Sequence, residues 1–111
     1  MAKIESRLYG DFDQILADLH DAVHTSISAS LEGRSDLTVE DCRCAVRIYE
    51  RYSALGGNRL TLNITLLQKK NQIYLIAVTA GGSSAMFFKV NTFGEESFLK
   101  TIQDVVQKYS V

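Results

Sequence analysis

Asp41 to Ala80 reads DCRCAVRIYERYSALGGNRLTLNITLLQKKNQIYLIAVTA, and three apolar runs within it, Cys42 to Ile48, Leu60 to Leu67 and Ile73 to Val78, follow one another across short polar breaks. Runs of this length, rich in β-branched and aromatic residues and bounded by turn formers, are strands. Because the breaks are short, consecutive strands run antiparallel; a parallel return would need a crossover of a dozen residues or more. The rest of the chain is read as cover for that sheet.

Within the stretch, alternation sets Cys42, Cys44, Val46 and Ile48 on one side of the first strand and Arg43, Arg47, Tyr49 and Arg51 on the other. Hydropathy assigns the cysteine side to the core. Gly56-Gly57-Asn58 accepts positive φ and reads as a hairpin turn. The next strand turns Leu60, Leu62, Ile64 and Leu66 inward and Thr61, Asn63 and Thr65 outward. After a turn at Lys69-Lys70-Asn71, Gln72 to Ala80 is apolar on both faces, which marks a strand that is covered twice or lies in an interface.

Upstream, residues 3–9 alternate, with Ile4 and Leu8 against Lys3, Glu5, Arg7 and Tyr9, as in a half-buried strand. Gly10 breaks it, Asp11 offers an N-cap, and Gln14 is placed to complete a capping box. Phe12, Ile15, Leu16, Leu19 and Val23 then make one apolar stripe on a helix running to about His24. Ser26, Ser28 and Ser30 alternate with Ile27, Ala29 and Leu31 as a second strand, and Glu32 to Asp41 is expected to be the most mobile loop. Downstream, Gly81-Gly82-Ser83-Ser84 is a further turn and Ala85 to Val90 a sixth, short strand. Thr92 and Glu95 open a last helix whose stripe is Phe98, Leu99, Ile102, Val105, Val106 and Tyr109.

The expected fold class is therefore α+β, an antiparallel sheet of five to six strands with two helices on one face, in the order β-α-β-β-β-β-(β)-α. The 111 residues suit a single domain spanning 1–111, able to bury roughly 65% of the surface of its unfolded chain. Charged residues make up 23% and the net charge is −1, which excludes a general bias toward nucleic acid, membranes or acidic partners. The start, Met1-Ala2-Lys3-Ile4-Glu5, lacks the apolar core of a signal peptide, and no run approaches the ~20 residues of a membrane span. Cys42 and Cys44, two apart on one strand, are poorly placed to bridge each other, and reduced thiols suit a cytoplasmic protein.

The segments CAVRIYERYSALGGNRLTLNITLL, from Cys44 to Leu67, and TAGGSSAMFFKVNTFGEESFL, from Thr79 to Leu99, resemble a family of short, uncharacterised bacterial proteins known only as a domain of unknown function. The resemblance covers nearly the whole chain and implies no catalytic residues. The element order is similar to the TATA-binding-protein-like topology and, more loosely, to helix-grip folds, which serve several unrelated functions.

Four constellations carry candidate chemistry. His20 and His24 share a helix face, and with Cys42-x-Cys44 they have the composition of a tetrahedral zinc site. The C-x-C spacing departs from the usual zinc knuckle and both histidines flank the apolar stripe, so two core thiols beside two surface histidines is the favoured reading, and no metal or cofactor is expected. Arg43, Arg47, Arg51 and Tyr49, with Arg59, Lys69 and Lys70 at neighbouring turns, form a cationic strip suited to an anion or to single-stranded nucleic acid. Glu32, Asp36, Glu40 and Asp41 are near enough to neutralise it, so a salt-bridged face is favoured and nucleic acid is not expected. Glu50 falls on the side of Val46 and Ile48, next to Tyr52; facing a pocket it would act as an acid or base, but lacking a partner it reads more simply as a place where the strand bulges or leaves the core. Phe87 and Phe88, adjacent on a short strand, point to opposite sides, which leaves Phe87 exposed or buried against another chain.

No nucleophile paired with a base and no phosphate loop is present, so the chain is not expected to be an enzyme. The function read from sequence is a small cytoplasmic, non-catalytic binding or interaction module that self-associates through its sheet, as a homo-oligomer or with another protein partner. Its ligand-binding or interface candidates are Arg43, Arg47, Tyr49, Glu50, Tyr52 and Phe87. The alternative is a carrier of a small apolar or amphipathic ligand, held in a cavity between sheet and C-terminal helix and gated near Glu50 and Tyr52.

Overall fold

The computed structural model of the chain describes residues 1–52, 59–81 and 88–111, with the backbone alone for 88–93. Its elements are β1 (Ala2–Leu8), α1 (Phe12–Val23), β2 (Ser30–Val39), β3 (Cys42–Tyr52), β4 (Arg59–Lys69), β5 (Gln72–Gly81), α2 (Phe88–Lys100) and α3 (Gln103–Tyr109). The five strands make one antiparallel sheet in the order β1-β5-β4-β3-β2. An α+β architecture with helices over one side of an antiparallel meander is what the sequence patterns require.

Two tight loops fix the register. Glu40-Asp41 joins β2 to β3 so that Val39 pairs with Cys42, and Lys70-Asn71 joins β4 to β5 so that Lys69 pairs with Gln72. Glu40 (φ 54°) and Lys70 (φ 56°) take the positive φ that matches a two-residue loop to the right-handed twist of its strands. With that register set, every inward residue of β4 finds an inward neighbour: Leu62 lies beside Tyr49 and Thr79, Ile64 beside Arg47 and Ala77, and Leu66 beside Ala45 and Leu75.

The core lies between this side of the sheet and the helices, and Phe12, Ile15, Leu19 and Val23 of α1, Phe98 and Leu99 of α2, Ile102 between α2 and α3, and Val106 of α3 are buried against it. α1 begins where Asp11 Oδ2 accepts from the Gln14 backbone N–H at 2.9 Å. The capping box is only half made, because the Gln14 amide turns forward to Asp18 Oδ1 at 2.8 Å. Gly10, at φ +148°, stands where a Cβ would lie 3.1 Å from the Tyr109 ring, so the turn from β1 into α1 packs directly under the C-terminal helix.

Three expectations are corrected. Ser26 to Ala29 is turn, and most of the polar segment expected as a mobile loop is β2, an edge strand whose inward-pointing main-chain groups pair with β3. The last helix is interrupted at Thr101-Ile102, where Thr101 and Ile102 N–H groups bond three residues back to Phe98 and Leu99 carbonyls, at 3.2 Å each. The expected sixth strand lies in part outside the described residues, and its end, Phe88 to Val90, already belongs to α2. The glycine turn at Gly56-Gly57-Asn58 and Phe87 also lie outside them.

The fourth correction concerns β3, which faces the opposite way from its hydropathy. Tyr49 is 1% exposed and Arg47 6%, so the Arg43, Ala45, Arg47, Tyr49 and Arg51 side is the one beneath the helices. Cys42, Cys44, Val46 and Ile48 are half-buried on the open side. The large Tyr49 ring supplies core volume, and the arginines lay their stems along the core while their heads reach its margin. Among the described residues no helix is long and apolar enough to cross a membrane.

Candidate functional site

The sequence-derived candidates divide between the two sides of the sheet. On the helix side, Arg43 makes a two-pronged pair with Asp13 of α1, Nη2 to Oδ1 at 2.6 Å and Nη1 to Oδ2 at 3.1 Å, above the Phe12 ring at 4.2 Å. This holds the Asp13 carboxyl below its ordinary range. Arg47 donates from Nη2 to Asp36 Oδ1 at 3.0 Å and from Nη1 to the carbonyls of Val46 and Ser35 at 2.9 and 3.2 Å. The Asp36 carboxyl is likewise held low, first by the bond from Arg47. Both arginines are committed to internal partners.

Tyr49 buries its ring and brings its hydroxyl 3.0 Å from His20 Nδ1, and burial pushes the Tyr49 phenol up. His24 stacks on His20 with ring centroids 4.3 Å apart, and its Nδ1 donates to the His20 carbonyl at 2.8 Å. Burial pushes His20 down, with the neighbouring His24 second. The two cysteines lie on the other side of the sheet, at the β2–β3 hairpin end, so the structure does not bring the four candidate metal ligands together. No group of three metal-ligating side chains forms among the described residues.

The open side tells a different story. In register across it run Arg7, Tyr74, Leu67, Cys44 and Leu37, then Glu5, Ile76, Thr65, Val46 and Ser35, then Lys3, Val78, Asn63, Ile48 and Gly33. Leu37 is 63% exposed, Tyr74 45% and Ile76 47%, with Leu67 and Val39 also uncovered. A shallow groove on this side runs between Thr61, Asn63 and Thr65 of β4 and Ile76, Val78 and Ala80 of β5. β5 was apolar on both faces in the sequence, and the structure leaves one of those faces without cover. Charges form a rim: Lys3, Glu5 and Arg7 along β1, and at one end Glu50 Oε1 paired with Arg59 Nη2 at 2.7 Å, beside exposed Tyr52.

The sequence reading missed Leu37 and Val39, which it placed in a loop. The available signal was the alternation Gly33, Ser35, Leu37, Val39 leading into a two-residue turn before Cys42.

A model of a family of unknown function, DUF6054, matches residues 1–110. The chain belongs to that family. The match embraces all eight elements, so the uncovered sheet side and its charged rim lie within the family domain. A search of curated proteins finds no match to the chain.

Proposed function

We propose that the chain is a non-catalytic interaction module that pairs with a second copy of itself, face to face, through the open side of its sheet. The observation that carries this reading is the apolar surface of Leu67, Tyr74 and Ile76 on the inner strands β4 and β5, continued by Leu37 on the edge strand β2, uncovered on the open side with Lys3, Glu5 and Arg7 along the β1 edge. A non-obligate protein interface is about as apolar as the rest of a protein surface, so an uncovered apolar band beside polar and charged positions suits one. Five strands about 4.8 Å apart, with lengths up to eleven residues, give the open side a footprint on the order of 800 Å², the area each partner contributes to a standard interface. A second copy supplies a sheet of identical twist, and two such sheets pack aligned about 10 Å apart with their side chains interdigitated. The half-buried free thiols of Cys42 and Cys44 lie on this surface, which supports a reducing, cytoplasmic setting.

The carrier reading draws no such support. Among the described residues Phe98, Leu99, Ile102 and Val106 are buried between sheet and helices, and Glu50 and Tyr52 lie on the opposite side of the sheet from them. The test is analytical ultracentrifugation of the wild type against Ile76→Asp. A dimer that becomes a monomer with unchanged circular dichroism is expected; a wild type that stays monomeric at every concentration overturns the proposal.

A further inference from the structure

The three arginines on the helix side of β3 are not equivalent. Arg43 and Arg47 each hold a carboxylate, Asp13 and Asp36. Arg51, half-buried near the end of the same strand, holds none. Every one of the 13 Asp and Glu residues is among the described residues, because 53–58 and 82–93 contain no acid. Its partners are neutral: Nη1 donates to Ser26 Oγ, and Nη2 to Ser97 Oγ at 3.1 Å and to the Gly94 carbonyl at 3.4 Å, while the guanidinium lies 4.5 Å over the Phe98 ring. Burial alone bears on its pKa and lowers it. Among the described residues it is the one half-buried basic side chain without an opposing charge.

Removing a cation from water without a counter-charge is costly, and such groups in folded chains are paired or serve a site. The surroundings of Arg51 are suited to receive an anion. Ser26 and Ser97 each accept from the guanidinium, which leaves both hydroxyl protons to be donated elsewhere. The three guanidinium bonds of Arg51 to described residues engage three of its five N–H groups. Ser97 is exposed, so the cluster opens to solvent at the junction of the α1–β2 turn, β3 and α2. A planar fork flanked by two hydroxyls matches the several oxygens of a tetrahedral oxyanion better than a single acceptor.

We propose that Arg51, Ser26 and Ser97 form a binding site for the phosphate group of a small phosphorylated ligand. The site is separate from the open sheet side, so either proposal stands if the other fails. The probe is inorganic phosphate, titrated at constant ionic strength against chloride and followed by thermal unfolding and by the amide resonances of residues 26, 51 and 97. In the wild type, a saturable shift of those resonances is expected, and phosphate at tenfold its Kd should lower the unfolding constant about elevenfold.

Arg51→Gln should weaken phosphate binding about tenfold or more. Because Arg51 also ties three segments together, Ser97→Glu serves as the second variant: it keeps the arginine, supplies an internal carboxylate and should abolish the phosphate response while folding normally. A wild type without a saturable response overturns the site, as does a response that persists undiminished in either folded variant.

Discussion

The two sides of one sheet differ in what their side chains are for. Beneath the helices, the β3 positions 43 to 51 carry three arginines and a tyrosine, yet this polar-looking row is the buried one. Across the same strand, cysteines, valine and isoleucine face outward. The contrast teaches that in this sheet facing is decided by the neighbours of β3 and not by β3 itself. Once Leu60, Leu62, Ile64 and Leu66 turn inward, the register puts Arg51, Tyr49, Arg47 and Ala45 beside them on the same side.

The largest test of that contrast uses two tyrosines. Tyr49→Ala removes a fully buried ring and its bond to His20, and should destabilise the domain by about 3–5 kcal/mol in denaturant unfolding. Tyr74→Ala, on the open side, should change the stability of the isolated fold by no more than about 0.5 kcal/mol and act on self-association instead. Equal losses at the two sites would remove the distinction between core and open side. Against a total stability of about 5–15 kcal/mol, the first change alone threatens folding.

Two adjacent residues sharpen it further. Ala45 has no exposure and Cys44 is half-buried on the other side. Ala45→Leu should overpack the space under α1 and cost about 1–3 kcal/mol, whereas Cys44→Leu should stay within about 0.5 kcal/mol. Thermal melts of the pair check this directly, and the opposite ranking would restore the facing that hydropathy alone implies.

Within the helix side, the two paired arginines should rank by burial. Arg47→Gln strips two carbonyls and a carboxylate of their donor at a buried position and should cost about 1–3 kcal/mol. Arg43→Gln breaks an ion pair whose partners are 40% and 68% exposed, and should cost less than about 1 kcal/mol. Urea midpoints of the two variants at one pH provide the measurement.

Much of the fold was legible because its strongest patterns are local. The α1 stripe, the inward leucines of β4 and the stripe from Phe98 to Val106 are buried as their periodicities require. β2 was not legible, because an edge strand exposed along most of its length needs no apolar alternation, and Gly33-Arg34-Ser35-Asp36 reads as loop. The helix interruption left no mark either: Thr101 bonds its hydroxyl to the Phe98 carbonyl at 2.7 Å, and neither Gly nor Pro announces the break. The site was half legible. The sequence flagged β5 as apolar on both faces and the arginines as a strip, but which arginine lacks a carboxylate depends on α1 packing over β3 and β2 pairing beside it, which supply Asp13 and Asp36 to the other two.

The smallest effect concerns acid, and it too belongs to the helix side alone. Four groups bear on the acidity of His20: His24 stacked on it, Asp21 on the same helix, Arg47 on β3, and the hydroxyl of Tyr49 within hydrogen-bond distance. Burial leads the balance and holds its pKa below the ordinary 6.5. The folded state thus favours the neutral ring, while the unfolded chain takes up its proton near pH 6.5. In the interval between the two values the unfolded state binds more protons, so stability rises with pH there. The contribution is fully present above pH 6.5 and is lost as pH falls through the folded value, where an imidazolium without an acceptor nitrogen would stand beside a second histidine. His20→Gln should flatten the stability profile across that interval, as read from urea midpoints at successive pH values, while leaving intact the further loss at lower pH, where Asp13 and Asp36 take up protons. A profile that keeps its slope in the variant would assign the acid response to groups other than the one that caps Tyr49.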